Sequence, residues 1–341
     1  MQLVKQSFEI LEQKIPVRKL DDHSCSHFRE QYMENMYKHI ELCGRVCYHS
    51  LDRIAEDSAE KFVKGLIKSG HNSVLEHGVV YLRILVNKEN HIYKYLYNAI
   101  LEKYKANPYS KTCTFDSVYG FNYIITTNYR TIIENGWEDD LQYLCEPTKY
   151  HEKRHTVLLH SCIHCYKDLT RHRKISFSIE STRYCRYSDT ERFGEMKFVL
   201  PPWCKYISPG RAYWYDGICY RTGAIEENNF MGDRSWTKPS ESDDEKEWKA
   251  ELKFIRKLDD DSKTYNELIE LGWQPQQAAE ILPQCTAADV VMSGYSSDWE
   301  FIFSLRTSYI HATGQPHPLV SEIMDPLYDE FVNKQWIRSL K

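Results

Sequence analysis

Between Leu169 and Tyr184 the sequence reads Leu-Thr-Arg-His-Arg-Lys-Ile-Ser-Phe-Ser-Ile-Glu-Ser-Thr-Arg-Tyr. Three side chains that carry or can gain positive charge, Arg171–Arg173, stand together at the end of a predicted amphipathic helix. A second polar cluster, Glu180–Arg183, begins nine residues after Arg171. Arginine binds phosphate through paired hydrogen bonds, and the second cluster adds hydroxyl and guanidinium donors. One basic residue would satisfy the dipole of a helix C-terminus, so the pattern favours an anion-binding site.

A second unusual position is Arg306, which shares a predicted helix face with the apolar residues Trp299, Ile302 and Phe303. An arginine on an apolar face is costly unless it is paired or binds a ligand. Pairing with a buried carboxylate such as Glu322 and a ligand-facing position in a pocket are both open.

A third polar block, His71-x-Ser73-x-x-Glu76-His77, stands just before a predicted strand at Val79–Val86. Within that strand the apolar residues alternate, which predicts one buried face. Site residues often lie at the entry to a strand, but a polar rim is equally compatible with the block.

Composition excludes several classes of protein. The chain has 341 residues, of which 42% are hydrophobic and 27% charged, which is typical of a globular protein. Its net charge of -5 argues against coating of nucleic acid through bulk charge. No run approaches the roughly 20 apolar residues of a membrane helix, and the first residues contain no apolar signal core. We therefore expect a cytoplasmic protein that does not span a membrane.

The 11 cysteines are interpreted as free thiols in a reducing compartment, because their number is odd and no signal segment is found. Cys162-Ile-His-Cys165 is the single Cys-x-x-Cys motif. A zinc site would need a second pair of ligands, and His155 and His160 belong to the same predicted helical segment. We therefore expect no metal site there, and interpret the two cysteines as apolar residues on a helix face.

The order of predicted elements, helices with scattered strands and no βαβ rhythm, indicates an α+β fold with an antiparallel sheet. Residues 87–145 are interpreted as an irregular insertion with short helices, and 240–245 as an acidic, solvated surface segment. The predicted helices cover about 58–67 (ending by Gly70), about 152–169, about 248–258, about 265–269 (ending at Gly272), and two C-terminal segments starting near Ser297 and at Pro318.

Several ordered blocks, spanning about Arg45 to Glu322, resemble the flavin-dependent thymidylate synthases. The central block matches the Arg-His-Arg-x7-Ser signature of that family, and the others are similar to its Arg-Val-Ser-Phe and His-x-Thr-x-x-Glu-His elements. The matching residues are Arg45-Val46-Cys47-Tyr48, His71-x-Ser73-x-x-Glu76-His77, Arg171-His172-Arg173 with Glu180-Ser181-Thr182-Arg183-Tyr184, Leu282-Pro283 and Leu305-Arg306.

The resemblance implies an activity and an assembly. Such enzymes methylate dUMP to dTMP for DNA synthesis, with 5,10-methylenetetrahydrofolate as carbon donor and with FAD, reduced by NADPH, carrying the hydride. It implies a homotetramer whose sites are built from several subunits. It also implies one α+β domain over residues 1–341, the thymidylate synthase-complementing protein fold, with insertions at about 87–150 and 205–262.

The resemblance further implies roles for individual residues. Arg306 would lie beside uracil, where it helps to ionise N3 and so activates C5. The residues implied for FAD are His71, Ser73, Glu76, Arg171, His172 and Arg173. The residues implied for dUMP are Arg171, Glu180, Ser181, Thr182 and Arg183.

Several positions depart from the family pattern. Asp168 replaces a glutamine and, as an anion, would repel a nucleotide phosphate. Ala279 replaces an arginine that binds phosphate. Tyr295-Ser296-Ser297 replaces an Asn-x-Arg element that grips FAD, and Phe301 replaces an asparagine that contacts FAD. The departures predict weaker flavin and phosphate contacts on the C-terminal side.

Three alternatives stay open at this point. The first is a related flavoprotein that modifies another pyrimidine nucleotide, for example by hydroxymethylation. The second is a nucleic-acid-binding protein that uses the basic stretch from Lys153 to Arg186, although the net charge weighs against it. The third is a homologue that has lost catalytic activity.

Overall fold

A computed structural model describes residues 1–17, 25–86, 91–189, 194–215, 218–223, 244–310, 312 and 314–340. Its strands, numbered in chain order, are β1 Gln2–Val4, β2 Ser7–Leu11, β3 Val79–Val86, β4 Lys111–Ser117, β5 Gly120–Asn128, β6 Arg154–Cys162, β7 Ser176–Ile179, β8 Lys197–Val199, β9 Ala212–Tyr215, β10 Ile218–Arg221 and β11 Ala287–Tyr295. Its helices are α1 Cys25–Val46, α2 Ser58–Ser69, α3 His91–Ala106, α4 Tyr129–Asn135, α5 Ile163–Leu169, α6 Asp244–Glu270, α7 Pro275–Ala278, α8 Ser296–Arg306 and α9 Pro318–Asn333.

The main sheet has the strand order β2-β6-β11-β7, and all of its neighbours pair antiparallel. One face, with Val157 and Met292, packs against helices α8 and α9. The opposite face, with Leu158 and Val291, packs against α1. The two central strands are therefore covered on both sides, and the ends of β6, β7 and β11 lead into the segments that carry the predicted site residues.

A second sheet, β3-β5-β4, shares a core with α1 and α3. The prediction for Val79–Val86 is confirmed, because Val80, Leu82, Ile84 and Val86 are all buried. Small sheets complete the fold: β1 pairs with β8, and β9 pairs with β10 under helix α6.

The interpretation of residues 87–145 as irregular with short helices is wrong. The described part of this segment contains a helix of 16 residues, α3, and the β4–β5 hairpin, which extends the sheet from β3. The apolar pattern of the sequence does not indicate this hairpin, because β5 buries polar side chains, among them Asn122 and Thr127. Asn122 accepts a hydrogen bond from Arg83 Nε (2.9 Å), so its burial is compensated without an apolar pattern.

Two helix predictions need correction. Residues 154–162 form the central strand β6 rather than a helix, and only Ile163–Leu169 is helical. Because β6 is buried on both faces, its apolar residues do not alternate, and the run resembled a helical stripe. The helices predicted at 248–258 and 265–269 are one continuous helix, α6.

Other predictions are confirmed. Helix α2 ends at Gly70, which adopts a left-handed conformation with φ 73°, and α8 and α9 begin where expected.

Cys162 and Cys165 are buried with their sulfur atoms 3.7 Å apart, although Cys162 ends a strand instead of lying on a helix. Cysteines whose side chains the structure describes are free thiols. Most of the acidic segment 240–245 lies outside the described residues.

Among the described helices, none combines the length and the apolar character that crossing a membrane requires.

Candidate active site

One cavity of about 700 Å³ brings the central motif and Arg306 together. Arg171–Arg173 follow the end of α5, and Arg306 is the last residue of α8. Phe301, Ile302 and Leu305 of α8 provide an apolar surface. Four lining side chains are cationic (Arg171, Arg173, Lys174 and Arg306), whereas Asp298 is the one acidic side chain among the described lining residues. This cationic cavity suits a ligand that combines a planar ring with negative charge.

Arg306 is held by two residues from the segment around α5. Its Nε donates to His172 Nε2 (3.1 Å), and one Nη donates to the backbone carbonyl of Asp168 (3.0 Å). The other Nη lies 3.5 Å from the Asp168 carboxylate. The sequence suggested Glu322 as a carboxylate partner, but Glu322 accepts from Gln6 instead (2.8 Å). The guanidinium of Arg306 is therefore hydrogen-bonded to His172 and Asp168 and still lines the cationic cavity.

His172 is neutral at physiological pH. Burial lowers its pKa to about 4, and the positive charge of Arg306 acts in the same direction. Because Nε2 accepts the hydrogen bond from Arg306, the ring proton is assigned to Nδ1. The imidazole is thus an acceptor toward Arg306 and a donor at Nδ1.

A second cavity, of about 520 Å³, gathers the other motif blocks. Its lining includes His71, Ser73 and Ser181. His71 is the N-cap of the 3-10 helix Asn72–His77, and Ser73 lies within that helix. The backbone N–H of Ser181 donates to the carbonyl of Cys47 (3.0 Å), which joins the end of the α1 block to the central motif. We call this space the motif cavity.

The 3-10 helix is tied to the main sheet by His77. Its Nδ1 lies 2.7 Å from Ser293 Oγ on β11, and its Nε2 lies 2.8 Å from Ser178 Oγ on β7. His77 is fully buried, and burial lowers its pKa well below the ordinary value. His77 therefore fixes Ser73 and Glu76 relative to the strand that leads to Ser181.

Glu180 lies apart from the motif cavity. Its carboxylate accepts from Tyr187 Oη (2.7 Å) and from the backbone N–H of Asp289 (3.0 Å), and it lies 2.7 Å from His49 Nε2. Potential metal-ligating atoms of His49, Glu180 and Asp289 all lie within 4.8 Å of one another. The contacts among the three residues account for their positions.

Two further predicted residues, Thr182 and Arg183, are not among the described lining residues of the motif cavity. Thr182 follows Ser181 and is half-buried. Arg183 is exposed, and its Nε donates to Gln276 on α7 (2.9 Å). The predicted dUMP residues are therefore not gathered in a single space within one chain.

Arg130 is a lining residue of the motif cavity that the sequence analysis missed. It lies in the first turn of helix α4, within the segment interpreted as an insertion, and its guanidinium lies 2.6 Å from Glu76 Oε1. Nothing in the local sequence pattern indicates this contact, since the two residues are 54 positions apart.

The basic stretch from Lys153 to Arg186 does not form one exposed surface. Arg154 is buried and donates to the carbonyl of Glu76 and to Ser176 Oγ, whereas Arg171 and Arg173 line the cationic cavity. This distribution argues against the nucleic-acid alternative.

The profile of one protein family, described as thymidylate synthase complementing protein, matches residues 30–88 and 155–329, which is most of the chain. The chain belongs to this family. The resemblance seen in the motifs is thereby confirmed, and so is the α+β fold class. Residues 89–154, between the two matched parts, lie outside the family match.

A flavin-dependent thymidylate synthase from Haloarcula marismortui is 32% identical over 133 residues. The match covers 38% of this chain and 44% of that protein, so it spans less than half the length of the relative. Among solved structures, the UMP/dUMP methylase PolB from Streptomyces cacaoi bound with 5-Br UMP has a TM-score of 0.41 at 13% identity, covering 99% of this chain and 92% of that chain. PolB bound with 5-Br dUMP gives 0.40 at 14% identity, with 99% and 93% coverage.

The departures from the family pattern now have structural locations. Asp168 lies between two guanidinium groups, 3.5 Å from Arg306 and 3.8 Å from Arg171, so its negative charge is partly offset. Phe301 and Ser297 line the cationic cavity. Tyr295 points elsewhere, because its hydroxyl contacts the segment outside the family match.

Proposed function

We propose that the protein is a flavin-dependent thymidylate synthase that methylates dUMP to dTMP. In this proposal FAD is the bound cofactor, and NADPH and 5,10-methylenetetrahydrofolate are co-substrates. Family membership supports it, and the observation that carries it is the cationic cavity formed by Arg171–Arg173, Arg306 and the apolar surface of α8. A dinucleotide with two phosphates and a planar ring system has the chemistry that such a cavity favours.

The residues present fit FAD. Arg171 and Arg173 are exposed guanidinium groups at the edge of the cationic cavity and are suited to phosphate, and Phe301 offers an exposed ring on its apolar side. His172, neutral and held by Arg306, offers a donor at Nδ1. His71 and Ser73 would complete the flavin site from the motif cavity, and Glu76 would support it from the same 3-10 helix. When bound, FAD supplies the hydride chemistry that no side chain provides.

Arg306 would act on the pyrimidine. A pyrimidine C5 is a weak nucleophile until negative charge develops in the ring, and a guanidinium fixed in a low-dielectric cavity stabilises that charge. Asp168 and His172 occupy at most three of the five N–H donors of Arg306, so donors remain for a substrate. The substrate phosphate would be bound by Arg171, Ser181, Thr182 and Arg183, with Glu180 supporting the loop from behind.

We also propose a homotetramer. Five of the six residues assigned to FAD, all but Glu76, line two separate cavities of one chain, which is the arrangement expected if each site combines cavities of different subunits. One domain over residues 1–341, with insertions at about 87–150 and 205–262, is part of the same proposal.

The proposal is tested first by the absorbance spectrum of the purified protein, before and after addition of FAD and then dUMP. We expect a bound-flavin spectrum that changes when dUMP is added, followed by formation of dTMP when 5,10-methylenetetrahydrofolate and NADPH are supplied. A protein that binds no flavin at micromolar concentration, with dUMP present, contradicts the proposal.

A second candidate is a flavoprotein of the same family that modifies another pyrimidine nucleotide. This candidate is favoured by the residues that depart from the family pattern in and beside the cationic cavity. They are Ser297 and Phe301 in its lining and Asp168 beside Arg306. Mass spectrometry of products from dUMP and from dCMP separates the two, because a methyl and a hydroxymethyl group differ by one oxygen atom.

A further inference from the structure

The segment outside the family match packs directly on the 3-10 helix Asn72–His77. At the start of α4, the backbone N–H of Tyr129 donates to the carbonyl of Gly78 (2.8 Å). The side chain of Asn128 caps the helix by accepting from the N–H of Thr131 (2.9 Å). The first turn of α4, which carries Arg130, is therefore fixed against this 3-10 helix.

Arg130 joins α4 to the 3-10 helix through the carboxylate of Glu76, and Glu134 of its own helix holds the guanidinium. One Nη donates to Glu76 Oε1 (2.6 Å), and Nε lies 2.9 Å from Glu134 Oε1. The same oxygen of Glu134 accepts from Asn72 Nδ2 (3.1 Å). Contacts at both ends of the 3-10 helix thus restrict the guanidinium and the Glu76 carboxylate to one arrangement.

The guanidinium also faces the motif cavity. Arg130 lines it together with His71, Ser73 and Ser181, and its side chain is 37% exposed. The side chain of Glu76 is only 19% exposed. A carboxylate at this depth needs a cationic or hydrogen-bonding partner to keep its position while ionised, and Arg130 provides one.

We propose that Arg130 is a positioning residue of the motif cavity, and that it holds Glu76 in the orientation required to bind the flavin nucleotide. The inference rests on the proposed function, since it takes the ligand to be a flavin. It assigns to the segment outside the family match a direct contribution to the site, and it makes α4 part of the binding machinery rather than a peripheral addition.

The test is a double-mutant cycle on flavin affinity, measured by fluorescence titration of the full-length protein with FAD. The variants are R130Q, E76Q and the double variant, with R130K as the conservative change. R53Q is the control, because Arg53 is an exposed arginine of a separate 3-10 helix, Leu51–Arg53. The melting temperature of every variant is measured in parallel.

We expect R130Q to raise the dissociation constant for FAD roughly 10-fold, R130K to recover part of that loss, and R53Q to have no effect. In the E76Q background, R130Q should add little, because the residue through which Arg130 acts is already altered.

Two results overturn the inference while leaving the proposed function intact. An R130Q variant that melts at a lower temperature but binds FAD normally would have a structural role only. Equal weakening by R130Q with and without Glu76 would mean that Arg130 contacts the ligand independently. A wild-type protein that binds no FAD overturns the proposed function itself, and this inference with it.

Discussion

Arg306 illustrates how much of a site depends on single residues that are distant in sequence. Its contact with Asp168 joins positions 138 residues apart, and the same aspartate stands where the family pattern has glutamine. The aspartate and the arginine therefore form a compensated pair, in which each residue offsets a charge that would be unfavourable alone. A change at either position should alter the charge of the cationic cavity.

In the proposed reaction, Arg306→Ala should lower dTMP formation about 100-fold or more, because negative charge developing on the pyrimidine would lose its guanidinium partner. Flavin affinity should change only a few-fold. Turnover and FAD titration measure the two effects, with Arg338→Ala, an exposed arginine, as control. Unchanged turnover would exclude a catalytic role for Arg306.

Tyr295 is a residue whose role is structural. Its buried hydroxyl contacts two backbone carbonyls, those of Tyr109 (2.8 Å) and Thr126 (2.9 Å), in the segment outside the family match. Tyr295→Phe should therefore reduce the free energy of unfolding by about 1–2 kcal/mol. Urea denaturation measures the loss, with Tyr119→Phe, at an exposed hairpin tip, as control. Equal effects of the two changes would contradict this assignment.

At the scale of elements, the site depends on close approach between helices. Helix α1 ends in the block that supports Ser181, and it crosses α2 where Gly44 faces Phe62. A Cβ on Gly44 would lie 2.8 Å from both Phe62 and Val74. Glycine is required here because of the close approach of the neighbouring elements rather than its backbone conformation.

Gly44→Ala should consequently destabilise the protein by about 1–3 kcal/mol, since a ring and a branched side chain must both move. Gly65 provides a matched control on helix α2, because nothing lies within 4 Å of its added Cβ. Gly65→Ala should be stabilising by about 0.5–1 kcal/mol through helix propensity. Thermal unfolding of both variants tests the contrast, and shifts of the same sign would refute it.

At the scale of the whole molecule, the predicted site residues that line a cavity are divided between two cavities. The cationic cavity contains Arg171–Arg173 and Arg306, and the motif cavity contains His71, Ser73 and Ser181. A symmetric assembly can bring different faces of identical chains together at one site. This is the physical reason to expect activity from an oligomer and not from an isolated chain.

The shared-site arrangement predicts complementation between inactive variants. Arg171→Ala and Ser181→Ala should each have low activity alone, whereas co-expression should restore a measurable fraction of it. Some sites of the mixed oligomer then combine an intact cationic cavity with an intact motif cavity. Turnover of mixed oligomers, verified by native mass spectrometry, gives the result. No recovery in mixed oligomers would place the whole site within one chain.

Buried histidines predict acid sensitivity of the whole fold. Burial lowers the pKa of His39 and His151 to about 4 and that of His155 to about 3, from an ordinary value of 6.5. The unfolded chain therefore binds protons in a range where the folded chain does not. The contribution of these histidines to the free energy of unfolding should be complete above pH 6.5. It should fall as the pH drops toward 4, by on the order of 1–3 kcal/mol per histidine.

Denaturant unfolding between pH 7 and pH 4 measures this dependence. His39→Gln should flatten it, whereas His27→Gln, at an exposed position, should leave the slope unchanged. A slope that is the same in both variants would contradict the contribution of His39.

The sequence by itself determined the family, the α+β class and several helices with an apolar stripe, such as α9. The stripe of α9 and the motif around Arg171 are local patterns, and a local pattern is readable without knowledge of partners. It also indicated that Arg306 needs a partner or a ligand, since a guanidinium on an apolar helix face is costly wherever it lies.

Only the tertiary structure decided which partners meet. The structure shows that β6 is a central strand. The sequence could not show this, because a strand that is buried on both faces lacks the alternation of apolar and polar residues by which a strand is recognised. In the tertiary structure the carboxylate partner of Arg306 is Asp168 rather than Glu322, and Arg130 lies beside Glu76. Such contacts between residues far apart in sequence depend on chain topology, which no local spacing of residue types encodes.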